Sequence, residues 1–126
     1  MASPPMALGY LRTDGGTYPE RRLTDEQVRF RRQAIEARAA EKNLLLKGLY
    51  VEDDPGSRQI LSRLFAAAYF YIAGNQLLDA IIIFDATDLG VTGTVQSQIR
   101  ERINDLGVRL EIVSGPEPAP GSAIAR

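Results

Sequence analysis

The chain has 126 residues, of which 44 % are apolar and 25 % charged, and its net charge is −1. This balance is typical of one globular domain and argues against a disordered chain or a strongly basic nucleic-acid-binding protein. Because the sequence has no Cys and no His, thiolate chemistry, Cys/His zinc sites and histidine acid–base catalysis are excluded. No apolar run is long enough for a membrane span and residues 1–6 lack a secretory pattern, so we expect a cytoplasmic protein without membrane partners.

The first half of the chain alternates between strand and helix patterns. The spacing of Thr24 and Gln27 predicts a capping box at the start of a helix, and Leu61, Leu64 and Ala68 mark one face of another. We expect strands over 7–12 and 44–51, and helices over about 25–42 and 57–73.

The second half continues this alternation. The apolar run over 81–84 predicts a strand that is covered on both faces, residues 95–106 show helical spacing, and residues 108–113 predict a fourth strand. The β-α-β-α-β-α-β order predicts a single three-layer α/β domain over 7–113, with a mainly parallel sheet of four or five strands and helices on both faces. We expect a flexible N-terminus over 1–6 and a disordered Pro/Gly-rich tail over 114–126.

Two segments resemble the catalytic domain of the serine recombinases, the resolvase/invertase family. Gly9-Tyr10-Leu11-Arg12-Thr13-Asp14 is similar to the family's Gly-Tyr-x-Arg-x-Ser strand. Residues 79–110 follow, without a gap, the family segment that contains Tyr-Arg-Leu-Asp-Arg-Leu-Ser-Arg. The resemblance implies a resolvase-like fold, a role in DNA recombination through a phosphoserine link, and assembly into dimers and tetramers.

The resemblance also assigns site residues position by position. Tyr10 and Arg12 match the family's first strand, and Arg58 matches an active-site arginine before the second helix. The replaced positions are Asp14 for the nucleophilic serine, Thr87 for an aspartate, and Asp88 and Val91 for two arginines.

These replacements predict a pseudoenzyme. A carboxylate repels the phosphate that an arginine would neutralise as the DNA strand is cut. We therefore expect no catalytic residues and no cofactor, and a domain that acts as a protein-interaction or assembly module in a DNA-associated process. An ordinary explanation of Arg12 and Arg58 is an ion pair with Asp14 or Asp88, and a tyrosine on an inner strand, such as Tyr10, more often belongs to the core than to a ligand site.

A different alignment places Leu23-Thr24-Asp25-Glu26-Gln27 at the family's Ser-Thr-Asp-Glu-Gln and makes residues 13–22 an insertion. Neither alignment supplies a serine. An active DNA recombinase fragment then needs a substitute nucleophile, for which Thr13, Thr17 and Thr24 are the candidates.

Acidic residues suggest a different class of function. Several lie near the expected carboxyl edge of the sheet, and converging carboxylates can bind Mg²⁺ for phosphoryl transfer. Turns are rich in Asp for purely structural reasons, which is the simpler explanation. The weak metal-ligand candidates are Asp14, Asp53, Asp85 and Asp88.

Two surfaces are candidates for contacts with partners. The helix over 57–73 is apolar around most of its circumference. Burial under neighbouring loops explains this pattern as well as a homo-oligomer or protein interface does, for which the candidates are Phe65, Tyr69, Phe70, Tyr71 and Ile72. Residues 21–42 hold seven basic and four acidic side chains, so DNA contact is conceivable through Arg21, Arg22, Arg29 and Arg32. A solvated helix face with i,i+4 ion pairs explains the same pattern.

Overall fold

The computed structural model describes residues 4–13, 22–53, 59–90 and 92–114. Within these ranges, strands and helices alternate as the sequence predicts. The elements are β1 (Met6–Arg12), α1 (Asp25–Glu41), β2 (Leu45–Glu52), α2 (Gln59–Ala73), β3 (Leu78–Ile83), α3 (Gly93–Asp105) and β4 (Arg109–Ile112). A short 3-10 turn over Ala86–Asp88, which the sequence patterns did not predict, follows β3.

The described strands form one parallel sheet in the order β2-β1-β3-β4. Tyr10 is in register with Tyr50 on one side and with Ile83 on the other. Because β1 and β3 are the two inner strands, every residue of β1 is buried. The predicted parallel α/β sheet is therefore confirmed, with four strands.

Helices cover both faces of the sheet. On one face, Ile35 and Ala39 of α1 pack with Ala7, Leu11 and Ile82. On the other face, α2 and α3 pack in a second cluster, which contains Leu8, Tyr10, Leu64, Ile81 and Ile103. Alternate residues of one strand point to opposite faces, so β1 and β3 supply both clusters. The predicted three-layer arrangement is confirmed.

The element boundaries differ from the sequence predictions by a few residues. Met6 is buried within β1, although it was predicted to belong to a flexible N-terminus. β3 begins at Leu78, three residues before the apolar run, because main-chain pairing with β1 defines a strand, and includes the half-buried Asp79. Ser114 was assigned to the tail, but its N–H donates to the Phe84 carbonyl at 2.8 Å. Residues 115–126 lie outside the described ranges.

The predicted capping box at the start of α1 is confirmed. Thr24 Oγ1 accepts from the Gln27 N–H at 3.1 Å, and Gln27 Oε1 accepts from the Thr24 N–H at 2.8 Å. Two N–H groups that have no partner within the helix are thereby satisfied. None of the helices in the described ranges combines the length and the apolar character needed to cross a membrane.

Candidate functional site

The carboxyl ends of β1, β2 and β3 bring together the polar side chains of the candidate site. Tyr10 and Arg12 lie on the same face of β1, as strand alternation predicts, with Arg12 Nη1 3.5 Å from Tyr10 Oη. Glu52 ends β2, and Asp88 lies in the turn after β3. All four residues are buried. In an open parallel sheet this edge is the usual place for functional groups.

Asp88 is a buried carboxylate held by main-chain donors. Its Oδ1 accepts from the Arg12 N–H at 3.0 Å, and its Oδ2 accepts from the N–H groups of Phe84 and Asp85, both at 3.0 Å. The side chain is 1 % exposed. Burial raises the pKa of Asp88 to about 6, although the three N–H groups and the charge of Arg31 favour the ionised form. Asp88 therefore joins the end of β1 to the loop after β3.

Glu52 fills the same edge from the other side. Its carboxylate accepts from Tyr10 Oη at 2.8 Å and from the N–H groups of Ile60 and Leu61, both at 3.1 Å. It thus satisfies donors in the first turn of α2, where a negative charge is also favourable to the helix dipole. Burial and the Glu52 carboxylate raise the pKa of the Tyr10 phenol. The contact between Glu52 and Tyr10 was not predicted from the sequence.

The candidate nucleophile Thr13 is 5 % exposed. Its Oγ1 donates to Asp53 Oδ1 at 2.9 Å, and Arg22 Nη2 lies 2.8 Å from the same oxygen. Its main-chain N–H and carbonyl bond to Glu52 and Leu23. These contacts hold the polypeptide after β1 against β2. Thr24 serves as the cap described above.

Thr87 and Asp85 form a local turn. Asp85 Oδ1 accepts from the N–H and the hydroxyl of Thr87, and Asp85 Oδ2 accepts from Ser114 Oγ at 3.2 Å. The N–H of Thr87 is the main cause that lowers the pKa of Asp85, assisted by both hydroxyls and by the charge of Arg31. Among the residues described, no three acidic side chains are grouped to hold a metal ion.

Several predicted residues fall outside the described parts of the chain. Asp14, Arg58 and Val91 of the family-like site are among them, as are Arg21 of the basic surface and the candidate nucleophile Thr17. Of the insertion proposed for residues 13–22, only Thr13 and Arg22 lie within the described ranges. The structural account of the site therefore rests on Tyr10, Arg12, Glu52 and Asp88.

The aromatic residues predicted on α2 divide between core and surface. Tyr69, Phe70 and Ile72 are exposed, with Phe70 at 71 %, and Tyr71 is half-buried with its ring centroid 5.7 Å from that of Phe70. Phe65 was also predicted as an interface residue, but it is buried in the core. The Arg102 guanidinium lies 4.0 Å from its ring centroid. Leu77, which was not predicted, is exposed near the same helix end.

The predicted basic surface is only partly described. Arg29 and Arg32 are exposed on α1, whereas Arg22 is paired with Asp53. Arg38, farther along the helix, pairs with Glu111 at 2.9 Å and with Glu41.

Comparison with known proteins supports the fold. The chain superposes on the crystal structure of the C-terminal catalytic domain of ISC1926 TnpA, an IS607-like serine recombinase, with a TM-score of 0.67 and 19 % identity. The match covers 91 % of this chain and 71 % of that one. No family model matches, and no curated protein matches. At this identity the similarity establishes a serine-recombinase-like fold.

Proposed function

We propose that this chain is a serine-recombinase-like domain that does not cut DNA and that acts by assembly, with itself or with another protein, in a DNA-associated process. The fold of this chain is similar to that of a serine recombinase catalytic domain. Our proposal concerns what the residues at the carboxyl edge do in this chain.

The bonding of Asp88 carries the proposal. When residues 79–110 are aligned with the serine recombinase segment, Asp88 stands where the family has a phosphate-binding arginine. Here both carboxylate oxygens accept from main-chain N–H groups, and the side chain is sealed from solvent. A buried anion at this position opposes a phosphate instead of stabilising it, and its bonds serve the fold.

The other buried carboxylate at this edge supports the same conclusion. Glu52 is bonded to Tyr10 and to the start of α2, so the family-like Tyr10 hydroxyl is committed to a protein acceptor. The Thr13 hydroxyl is likewise bonded and buried. In the described part of this edge, the Tyr10 and Thr13 hydroxyls and the Glu52 carboxylate are therefore bonded to other groups of the protein.

A strand-cleavage assay tests the loss of catalysis. The purified protein is incubated with supercoiled plasmid and with end-labelled duplex oligonucleotides, with an active serine recombinase as positive control. We expect no nicking and no covalent protein–DNA adduct. A denaturant-resistant adduct would refute the proposal, and peptide mapping of the linked residue, followed by Thr13→Ala and Thr13→Ser variants, would show whether a threonine is the nucleophile.

Exposed apolar side chains on α2 support the assembly role. Tyr69, Phe70 and Leu77 are each at least 60 % exposed, and Ile72 lies beside them in the sequence. Large aromatic residues are favoured anchors of protein interfaces. Sedimentation of the wild-type protein and of Phe70→Ser over a range of concentrations tests this role. We expect self-association or partner binding that Phe70→Ser weakens, with Arg63→Ser on the same helix as control.

A further inference from the structure

A separate cavity lies on the α1 side of the sheet. Its volume is about 340 Å³, and it is lined by Glu26, Gln27, Phe30, Arg31 and Phe84. Four of these residues come from the first half of α1, and Phe84 directly follows β3. Phe84 contributes to the site described above through its main-chain N–H, and Arg31 through its charge, but none of the four residues on which that site rests lines this cavity.

Arg31 is the most informative side chain in this cavity. Its guanidinium lies over the Phe84 ring, 4.5 Å from the centroid. Its Nη1 atom is buried and has no hydrogen-bond partner in the described structure. The charge of Arg31 acts on Asp85 and Asp88 by electrostatic attraction, but this leaves the Nη1 donor unsatisfied. A ligand oxygen cannot reach the buried Nη1 atom, but Arg31 also lines the cavity, where its charge favours an anionic group.

Phe30 supplies a flat apolar surface at the same place. Its side chain is 64 % exposed, and its ring meets that of Phe84 edge-on with a centroid distance of 6.0 Å. An exposed phenyl ring beside an unsatisfied guanidinium suits a ligand that joins a planar ring to an anionic group.

The two polar residues of the cavity fit the same ligand. Gln27 Oε1 is used by the helix cap, which leaves the amide N–H₂ as a donor. Glu26 presents a carboxylate, which accepts from amino groups and repels anions, so a phosphate is favoured only on the Arg31 side of the cavity.

From these observations we propose that the cavity binds a nucleotide, with the base stacked on Phe30 and a phosphate group held by the charge of the Arg31 guanidinium. The nucleotide is either free or part of a single strand, because a base in a duplex is already stacked and paired. This inference does not depend on whether the domain has lost catalysis.

Fluorescence anisotropy with a labelled short single-stranded DNA tests the proposal, alongside calorimetric titration with deoxyadenosine monophosphate. Phe30→Ser should weaken strand binding by about 5- to 150-fold, the range typical of one base–aromatic stack. Arg31→Gln should weaken it by about 10- to 150-fold, the range typical of a hydrogen bond to a charged group. Phe30→Tyr should retain binding because it keeps the ring. Arg63→Gln on α2, across the sheet, makes the same charge change as Arg31→Gln and should alter affinity by less than about twofold, since it leaves the cavity intact.

The outcomes separate the sources of the ligand. Binding of the mononucleotide with the same dependence on Phe30 supports a free nucleotide, and binding of the single strand alone with that dependence supports a strand. Failure of both ligands to bind at millimolar concentration overturns the proposal. Equal loss in Arg63→Gln and Arg31→Gln, or duplex DNA bound as tightly as the single strand, also overturns it because either result indicates general charge attraction. Circular dichroism of Phe30→Ser verifies that its fold is retained.

Discussion

Asp88 accepts a hydrogen bond from the main-chain N–H of Arg12, a residue 76 positions earlier in the chain, at 3.0 Å. The contact joins the end of β1 to the loop after β3. It gives the buried Asp88 carboxylate a structural task. Several measurable consequences concern this residue and its neighbours.

Replacing Asp88 by Asn should destabilise the domain. The Asn amide has one acceptor oxygen, so its N–H₂ group must face at least one main-chain N–H that the carboxylate now satisfies. At pH 7, where Asp88 is ionised, we expect the free energy of unfolding to fall by about 1–3 kcal/mol. Urea denaturation measures the change, with Asp105→Asn on the exposed end of α3 as a control that should change it by less than about 0.5 kcal/mol. An unchanged stability in Asp88→Asn would contradict the structural role.

Asp88 should also give the stability a specific pH dependence. Its pKa rises from 3.8 to about 6 on folding, so the native protein binds the extra proton between these values. The stabilising contribution of this group is fully present below pH 3.8 and is lost as the pH rises through 6. The stability difference, wild type minus Asp88→Asn, should therefore decrease between pH 4 and pH 7.

Comparison of the two proteins isolates this effect. Asp85 and Glu111 have lowered pKa values, so their contributions have the opposite sign and are lost as the pH falls. Both remain in Asp88→Asn and cancel in the difference. Unfolding curves at intervals of half a pH unit measure it. A difference that stays constant or increases from pH 4 to pH 7 would show that burial does not raise the pKa of Asp88.

Glu52 and Tyr10 should be energetically coupled. Glu52→Gln removes a charged acceptor that serves Tyr10, Ile60 and Leu61, and should cost about 1–3 kcal/mol. Tyr10→Phe removes one hydrogen bond and should cost about 1 kcal/mol. In a double-mutant cycle by urea denaturation, the two losses should sum to more than the loss in the double variant. Strict additivity would mean that the hydrogen bond between them contributes nothing.

Thr24→Ala should destabilise the domain by about 1 kcal/mol, because α1 loses the side chain that caps Gln27 N–H. Thr94→Ala offers a matched control, since Thr94 is exposed in the first turn of α3 and the cap of that helix is Thr92. Thermal unfolding of both variants should show a lower melting temperature only in Thr24→Ala. Equal melting temperatures in the two variants would show that the Thr24 cap does not stabilise α1.

Local patterns were sufficient for most of the secondary structure. The capping box of Thr24 and Gln27 connects residues three positions apart, so its geometry follows from the helix itself. The unbroken apolar run over 81–83 indicated an inner strand because only a strand covered on both faces buries consecutive side chains. The β-α alternation then restricted the fold to a parallel three-layer domain.

Phe65 and Phe70 illustrate what such patterns do not decide. Both are aromatic residues of the same apolar helix, and the sequence placed both at an interface. Phe65 is buried, whereas Phe70 is exposed, because the position of α2 on the sheet selects which side of the helix is covered. That selection depends on packing between elements that are distant in the chain.

The order of the strands and helices, and the face of β1 shared by Tyr10 and Arg12, follow from the amino-acid sequence, since side-chain periodicity is a property of each segment alone. The roles of Asp88 and Glu52, and the cavity beside Arg31, arise only in the folded chain. Each depends on donors and acceptors that different segments bring together, and the free energy of burying a polar group is set by the partners it meets there.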